Sequence, residues 1–493
     1  MNQRQPRPGG ATDPRDGGRP RRVARWVDDR LGMAYLATKS LRKVFPDHWS
    51  FMVGELSLYS FVILVVTGVY LTFFFDPSQS ESTYRGSYEA LRGVEMTAAY
   101  RSAIELSFDI RAGLVMRQIH HWAALLFVAT MVVHMARVFF TGAFRRPREV
   151  NWMVGVTLLI LAVFNGFAGY SLLDDQLSGT GLRIGYSIAL SIPLAGTWLV
   201  SLLFGGEFPG PDIIERLYVI HILLVPAVIG VLIAVHMAIL LRQKHTQFAG
   251  PGREEGNVVG ERVWPTYAAK GLGLFFITAA VLAALGGLAQ INPIWIYGPF
   301  DPAEVSAASQ PDWYMGWLDG ALRLMPGWEV RAFGFEVPNP FFPGAVLPGV
   351  TFALLYLWPF LEARFTGDRS EHHLLDRPRD RPVRTALGVA TIAFYGVLFL
   401  AGGGDVISTT FGLSVNAVFQ SFRVLLFVLP ALGAWATYRL CEDLARRDPP
   451  PAAGGNSVPA AALAGVADNG RSKDDRAGHD GPQAKSEAIG EHH

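Results

Sequence analysis

The chain has 493 residues, half of them hydrophobic and only 17% charged, with a mean hydropathy of +0.26. That balance excludes an ordinary soluble domain and marks a polytopic membrane protein. A net charge of +1 gives no general attraction to nucleic acid, and a single cysteine, Cys441, excludes internal disulfides, cysteine-held iron–sulfur clusters and CxxCH haem attachment.

Residues 1–25 are rich in Arg, Pro and Gly, and no apolar core follows until about residue 51. They read as a basic tail, not as a cleavable export signal. Eight apolar segments then qualify as spans: about 51–75, 119–140, 152–171, 216–241, 268–289, 346–363, 384–401 and 419–440. A ninth stretch, 186–204, is also apolar. The basic segments 19–43, 145–148, 242–253 and 364–384 share one side only if it is left out. The positive-inside rule therefore predicts an all-α protein of eight transmembrane helices with both termini cytoplasmic. Pro193 and Gly196 then suit a broken hairpin at the surface. From about 446 the chain is Ala, Gly, Pro and charge, which cannot bury a core and is expected to be disordered. The expected organisation is a basic segment 1–45, an N-terminal four-helix domain 46–250, a C-terminal membrane domain 251–445 and a tail 446–493.

Four histidines carry the chemistry. His120 and His134 lie 14 residues apart in the second span, and His221 and His236 lie 15 apart in the fourth. At about 100° per residue, fourteen steps return to within about 40° of the start and fifteen to within about 60°. Each pair shares a face, separated by about 21–22 Å of rise. Two such helices face to face offer two His–His clamps, His120 with His221 and His134 with His236, suited to two b-type haems held without covalent attachment. A lone membrane histidine more often bonds a neighbouring helix; two pairs of matched spacing argue for ligands. His121 points about 100° away from His120 and reads as a helix–helix or headgroup contact.

Glycines echo the spacing. Gly54 and Gly68 in the first span and Gly155 and Gly169 in the third are each 14 apart. A porphyrin edge passing close to a helix backbone requires a residue without a side chain, although glycines pack membrane helices generally. Arg117, Arg137 and Arg216 lie three, three and five residues from a histidine, and arginine pairs with carboxylates such as haem propionates. Snorkelling to the interface is the other reading for an arginine at a span end.

With these residues in place the chain resembles the cytochrome b subunits of cytochrome bc complexes, most closely the actinobacterial bcc type, from about residue 30 to 440. The resemblance rests on Arg117-Gln-Ile-His120-His-Trp, on Phe140-Thr-Gly-Ala-Phe-Arg-Arg-Pro-Arg-Glu149, and on Gly169-Tyr-Ser-Leu with Ser178-Gly-Thr-Gly-Leu-Arg183. Ile192-Pro-Leu-Ala-Gly-Thr197, Arg242-Gln-Lys-His-Thr-Gln-Phe248 and Pro311-Asp-Trp-Tyr314 complete it. The resemblance implies eight spans with two haems in the first four, and 186–204 as a surface hairpin. It implies a respiratory quinol–cytochrome c reductase subunit of the cell membrane, active only in a complex. Quinol is oxidised at an outer site, one electron passing to a Rieske iron–sulfur subunit. The other crosses through the haems to an inner quinone site, with protons released outside and taken up inside.

Pro311-Asp-Trp-Tyr314 is similar to the family's PEWY quinol-site motif, with Asp312 in the glutamate position. Asp312 is then the proton acceptor, Tyr314 its orienter or a quinol partner, and Asp319 a possible helper two helical turns on. Capping of a surface helix is the structural alternative for this motif. For the inner site the resemblance points to His245 and Lys270. Where the family often has an aspartate after this lysine the chain has Gly271, which leaves proton uptake to Glu254, Glu261 or His245. Leu173 stands where the family usually has proline, which predicts a looser rim to the outer pocket. No N-terminal cysteine for an extra haem is present, and His372 and His373 read as surface residues. The actinobacterial likeness further implies menaquinol as substrate, a di-haem cytochrome c subunit, a terminal oxidase and a dimeric complex as partners. A di-haem anchor of another quinone-linked dehydrogenase, with about five spans and no 290–345 loop, and a transporter with structural histidines are the competing readings.

Overall fold

The computed structural model describes residues 41–448 apart from 209, 211, 305–309 and 333, together with 23, 26, 28–30 and 32. Met1–Leu444 forms one compact unit, and Ala445–His493 a second. The tail expected to be disordered lies outside the described residues beyond Asp448, as does nearly all of 1–25.

Among the described residues eight helices are long and apolar enough to cross a membrane: Trp49–Thr72, Gly113–Phe140, Glu149–Ser171, Ile213–Gln243, Val263–Leu288, Phe342–Thr366, Pro382–Gly402 and Val415–Arg447. They are 21 to 33 residues long, against about 20 needed to span the hydrocarbon core. Their outer faces carry exposed Val66, Ile277, Val350 and Phe427, which is the surface lipid solvates. The first span packs on the second, the third on the fourth, and the fifth on the first and second.

Residues 186–204 do not form a span. They belong to two helices, Gln176–Leu190 and Gly196–Phe204, packed on each other across a turn in which Leu194 takes φ +64°. Pro193 and Gly196 thus break the apolar run, as the charge distribution predicts. Asp175 starts the hairpin with a capping box shared with Ser178.

The fourth span contains a π-helical turn at Ile220–Leu224, closed by Val225 N–H donating to the Ile220 carbonyl. Pro226 follows at once and has no N–H to continue the regular ladder. A π-bulge inserts one residue into a helix. The 15-residue spacing of His221 and His236 is thereby returned to the 14-residue register of the other pair.

Loops at the two ends fix the bundle. At one end Val44–Phe45 pairs antiparallel with Glu261–Arg262, and Gln247–Phe248 pairs parallel with Leu374–Leu375. Arg148 donates to the His372 carbonyl at 2.6 Å and bonds His373 Nδ1 at 2.8 Å. At the other end Tyr84, Tyr100 and Ile294 form a fully buried cluster, with the Tyr100 hydroxyl donating to the Ile294 carbonyl at 3.1 Å. Leu173 packs against this cluster and is not on the wall of the neighbouring cavity.

Candidate functional site

The structure brings His120 to His221 with ring centroids 6.1 Å apart and His134 to His236 at 6.5 Å. Two imidazoles on opposite sides of one metal, each bonded at about 2 Å with its centroid about 1 Å further back, lie about 6 Å apart. Among the described residues no group of three His, Cys, Asp or Glu gathers to hold a bare metal ion. A pair of opposed imidazoles instead suits a metal whose other ligands belong to a macrocycle.

The hydrogen bonds point the same way. Thr67 donates its hydroxyl proton to the Ile63 carbonyl at 2.7 Å and so accepts from His120 Nδ1, 2.9 Å away. His221 Nδ1 donates to the Asn165 carbonyl at 2.9 Å. With Nδ1 protonated, each ring keeps the Nε2 lone pair for a metal.

Each glycine faces one of these rings. A Cβ on Gly169 would lie 2.4 Å from His221 Cε1, on Gly54 3.1 Å from His134 Cε1, on Gly68 3.2 Å from His120 Cε1, and on Gly155 3.9 Å from His236 Cε1. The group pressing on these glycines is the imidazole itself, not only the porphyrin edge anticipated from spacing. Gly166 was not anticipated: a Cβ there would lie 2.5 Å from the Tyr314 hydroxyl oxygen.

The three arginines separate. Arg137 is half-buried with its guanidinium 4.1 Å from the Phe51 ring centre, and it lines the cavity that holds His134 and His236. Among the described residues its Nε and Nη2 have no hydrogen-bond partner. A cation with buried, unsatisfied donors is costly unless an anion meets it, which fits a propionate. Arg117, also buried, donates to the Asn292 carbonyl at 3.3 and 3.5 Å while its Nε is unsatisfied. Arg216 does not fit. It is exposed, pairs with Asp212 at 3.1 Å and donates to the Leu202 carbonyl at 2.8 Å, so its charge is spent on the surface hairpin.

At the Asp312 end, Asp312 Oδ1 lies 2.7 Å from His121 Nε2, and Tyr314 donates to Oδ2 at 2.9 Å. His121 is therefore a carboxylate partner, not the headgroup or interhelix contact expected; its adjacency to His120 had hidden this. Tyr314 is buried, and burial beside Asp312 holds its hydroxyl well above the usual range. The same segment borders a cavity of about 460 Å³ lined by Tyr170, Pro311, Met315, Asp319, Arg323 and Phe352 among others, within the roughly 300–1,000 Å³ of small-molecule pockets. Asp319 is on this wall but pairs with Arg323 at 2.9 Å, and Arg323 also reaches Asp405 at 3.1 Å. Burial raises its pKa and Arg323 opposes the rise.

At the opposite end His245 lines the cavity of His134 and His236. Burial pushes its pKa down to about 4, with Arg137 and Arg148 adding to the fall against a bond to the Thr246 carbonyl. Lys270 does not line this cavity; it is half-exposed and pairs with Asp47 at 2.8 Å. Glu254 is exposed and Glu261 belongs to the strand pair with Phe45, neither of them on the wall. Glu55 and Tyr267 are on it, and the sequence signal for Glu55 was an acid inside an apolar span.

Opposed imidazole pairs at two depths of an apolar helical bundle are the arrangement of a membrane cytochrome of the b type. Residues 125–299 match the family model described as cytochrome b(N-terminal)/b6/petB. The cytochrome bc1 complex cytochrome b subunit of Streptomyces coelicolor is 53% identical over 87% of this chain and 78% of its own length. That of Mycobacterium tuberculosis is 54% identical over the same shares, and that of Corynebacterium diphtheriae 52% over 86% and 78%. A solved structure titled hyperthermophilic respiratory Complex III shares the fold at a TM-score of 0.60 and 20% identity, over 83% of this chain and 100% of its own.

The chain belongs to the family of cytochrome b subunits of the cytochrome bc1 complex. It is a multi-pass membrane subunit of a respiratory oxidoreductase complex, and its family implies haem binding and partner subunits.

Proposed function

We propose that this chain oxidises a quinol at the Asp312 end and passes electrons across the membrane to a quinone at the His245 end. The observation carrying this reading is the pair of opposed imidazoles at each of two depths, each ring backed by a glycine. His120 with His221, and His134 with His236, hold one haem each, and Arg117 and Arg137 meet the propionates. Bound between these histidines, which are about 21 Å apart by helix rise, the haems would supply reversible one-electron transfer across a potential that costs about 2.3 kcal/mol per 100 mV.

The protein's own groups do the rest. The apolar cavity beside Pro311 and Tyr170 receives a quinol, menaquinol as the actinobacterial resemblance of the sequence implies. Asp312 accepts a quinol hydroxyl proton, while Tyr314 and His121 fix the carboxylate in place. At the other end His245, neutral and half-buried, spends its Nδ1–H on the Thr246 carbonyl and keeps Nε2 free to accept a hydrogen bond from a hydroxyl of the quinol formed there.

The charge of the basic loops supports a topology with the His245 end and both termini cytoplasmic and the Asp312 end outside. With no iron–sulfur motif in the chain, the first electron leaves to a Rieske subunit. A di-haem cytochrome c subunit, a terminal oxidase and a second copy of the complex complete the assembly. Residues 46–250 form the haem domain and 251–445 the second membrane domain. Purified complex should reduce cytochrome c with a menaquinol analogue, and Asp312→Asn should stop this with the haem spectrum intact. A variant that kept its full rate would refute Asp312 as the acceptor.

A further inference from the structure

Glu55 sits inside the first span, one residue past Gly54. Ionisable side chains at this depth are costly and are kept where they face a cavity and find partners. Glu55 has both. The Tyr59 hydroxyl donates to Oε2 at 2.9 Å and the Tyr267 hydroxyl donates to Oε1. Gly271 makes the room: a Cβ there would lie 2.9 Å from the Tyr59 hydroxyl oxygen and 3.5 Å from Glu55 Oε2. Glu55 and Tyr267 line the cavity shared with His134 and His236. Among the described residues on that wall Glu55 is the single carboxyl; the other ionisable groups are the Tyr267 phenol, the cations Arg137 and Arg148 and the imidazoles of His134, His236 and His245. Lys270 and Asp47 nearby are engaged with each other.

We infer that Glu55, gripped by Tyr59 and Tyr267, is the proton donor to quinone in the cavity at the His245 end, an inference that rests on the quinone reduction proposed there. Reduction of a quinone to a quinol takes two electrons, which arrive through the histidine-held haems, and two protons. A quinone carbonyl oxygen gains the Glu55 carboxyl proton as its new O–H bond forms and the Glu55 O–H bond breaks. The resulting carboxylate is stabilised by the two tyrosine hydroxyls, bonds that strengthen when the acceptor is charged, and it recovers a proton from water at the cytoplasmic face. The second quinone oxygen takes its proton from water at the cavity mouth.

The test uses the purified complex, pre-reduced and with the partner centres kept reduced by ascorbate. Haem re-oxidation by 2,3-dimethyl-1,4-naphthoquinone is followed by stopped-flow from pH 6 to 9. The wild type should re-oxidise more slowly as pH rises, because the reaction consumes protons. Glu55→Gln, with its haem spectrum unchanged, should be slowed at least tenfold and be flat in pH; Glu55→Asp should recover part of the rate. Glu55→Gln behaving as wild type in rate and pH profile overturns the inference. Should Glu55→Gln fail to assemble, Tyr267→Phe decides: an altered rate and pH profile supports the role, and an unaltered one overturns it. A wild type that is not re-oxidised by quinone at all refutes the proposed quinone reduction instead, whatever the variants do.

Discussion

His121 Nε2 lies 2.7 Å from Asp312 Oδ1, a bond that joins the second span to the loop after the fifth across 191 residues of sequence. The neighbouring residue, His120, faces His221. One helical turn therefore serves both the proposed metal clamp and the carboxylate beside the proposed quinol cavity. Both partners are mostly buried, with side-chain exposures of 12% and 15%. Removing His121 should leave Asp312 dependent on Tyr314 alone. His121→Asn should slow quinol oxidation about tenfold, and Asp312→Asn by about 10²–10⁴, the range of a lost general base. Steady-state cytochrome c reduction with unchanged haem spectra checks both.

The four glycines are not equal. A Cβ at Gly169 would lie 2.4 Å from His221 Cε1, closer than real contacts allow, whereas at Gly155 the distance to His236 Cε1 is 3.9 Å. Gly169→Ala should displace His221 and remove the haem signal of that pair. Gly155→Ala should keep both signals. Reduced-minus-oxidised spectra of the two variants in assembled complex give the answer.

Much of this was legible in the sequence, because a bilayer imposes simple rules. Span length, loop charge and the helical period of the histidines fixed the number of spans, the broken hairpin around Pro193 and the ring pairing. What was not legible depended on contacts between distant segments. Nothing local to His121 announces Asp312, and Arg216 looked like a propionate partner until the fold brought the Ser201 and Leu202 carbonyls to it. The π turn before Pro226 was hidden too; the extra residue between His221 and His236 was visible, but how the helix absorbs it was not. Lys270 was misplaced for a related reason, since Asp47 precedes the first span and meets it only after folding.

Arg137 should set the potential of the haem held by His134 and His236. Its removal takes away a half-buried cation with unsatisfied donors, so the reduced form loses a favourable field. At an effective dielectric of about 20 and a separation of about 10 Å this amounts to roughly 1–2 kcal/mol, or tens of millivolts. Arg137→Met should lower that midpoint potential in a redox titration and leave the other haem unmoved.

Asp175 gives a pH signature. It is fully buried at the cap of the surface hairpin, and burial raises its pKa to about 6 against opposing bonds from Ser178. A carboxyl whose pKa is higher folded than unfolded favours the fold when protonated, and that stability is lost as pH rises through about 6. Asp175→Asn keeps an oxygen for the Ser178 N–H and removes the charge. The variant should gain stability over the wild type progressively from pH 4 to 6 and hold the gain above, by about 3 kcal/mol at most. Thermal unfolding of the complex across that range measures the difference.

The central claim is that two histidine pairs hold two haems in this chain. A pyridine-haem assay on the purified complex, with the haem of the cytochrome c subunit subtracted, tests it most directly alongside a spectrum of a His120→Ala variant. Two non-covalent b haems in the wild type, falling to one in the variant, is the predicted result. No b haem in folded wild type, or two retained after His120 is removed, would contradict the assignment.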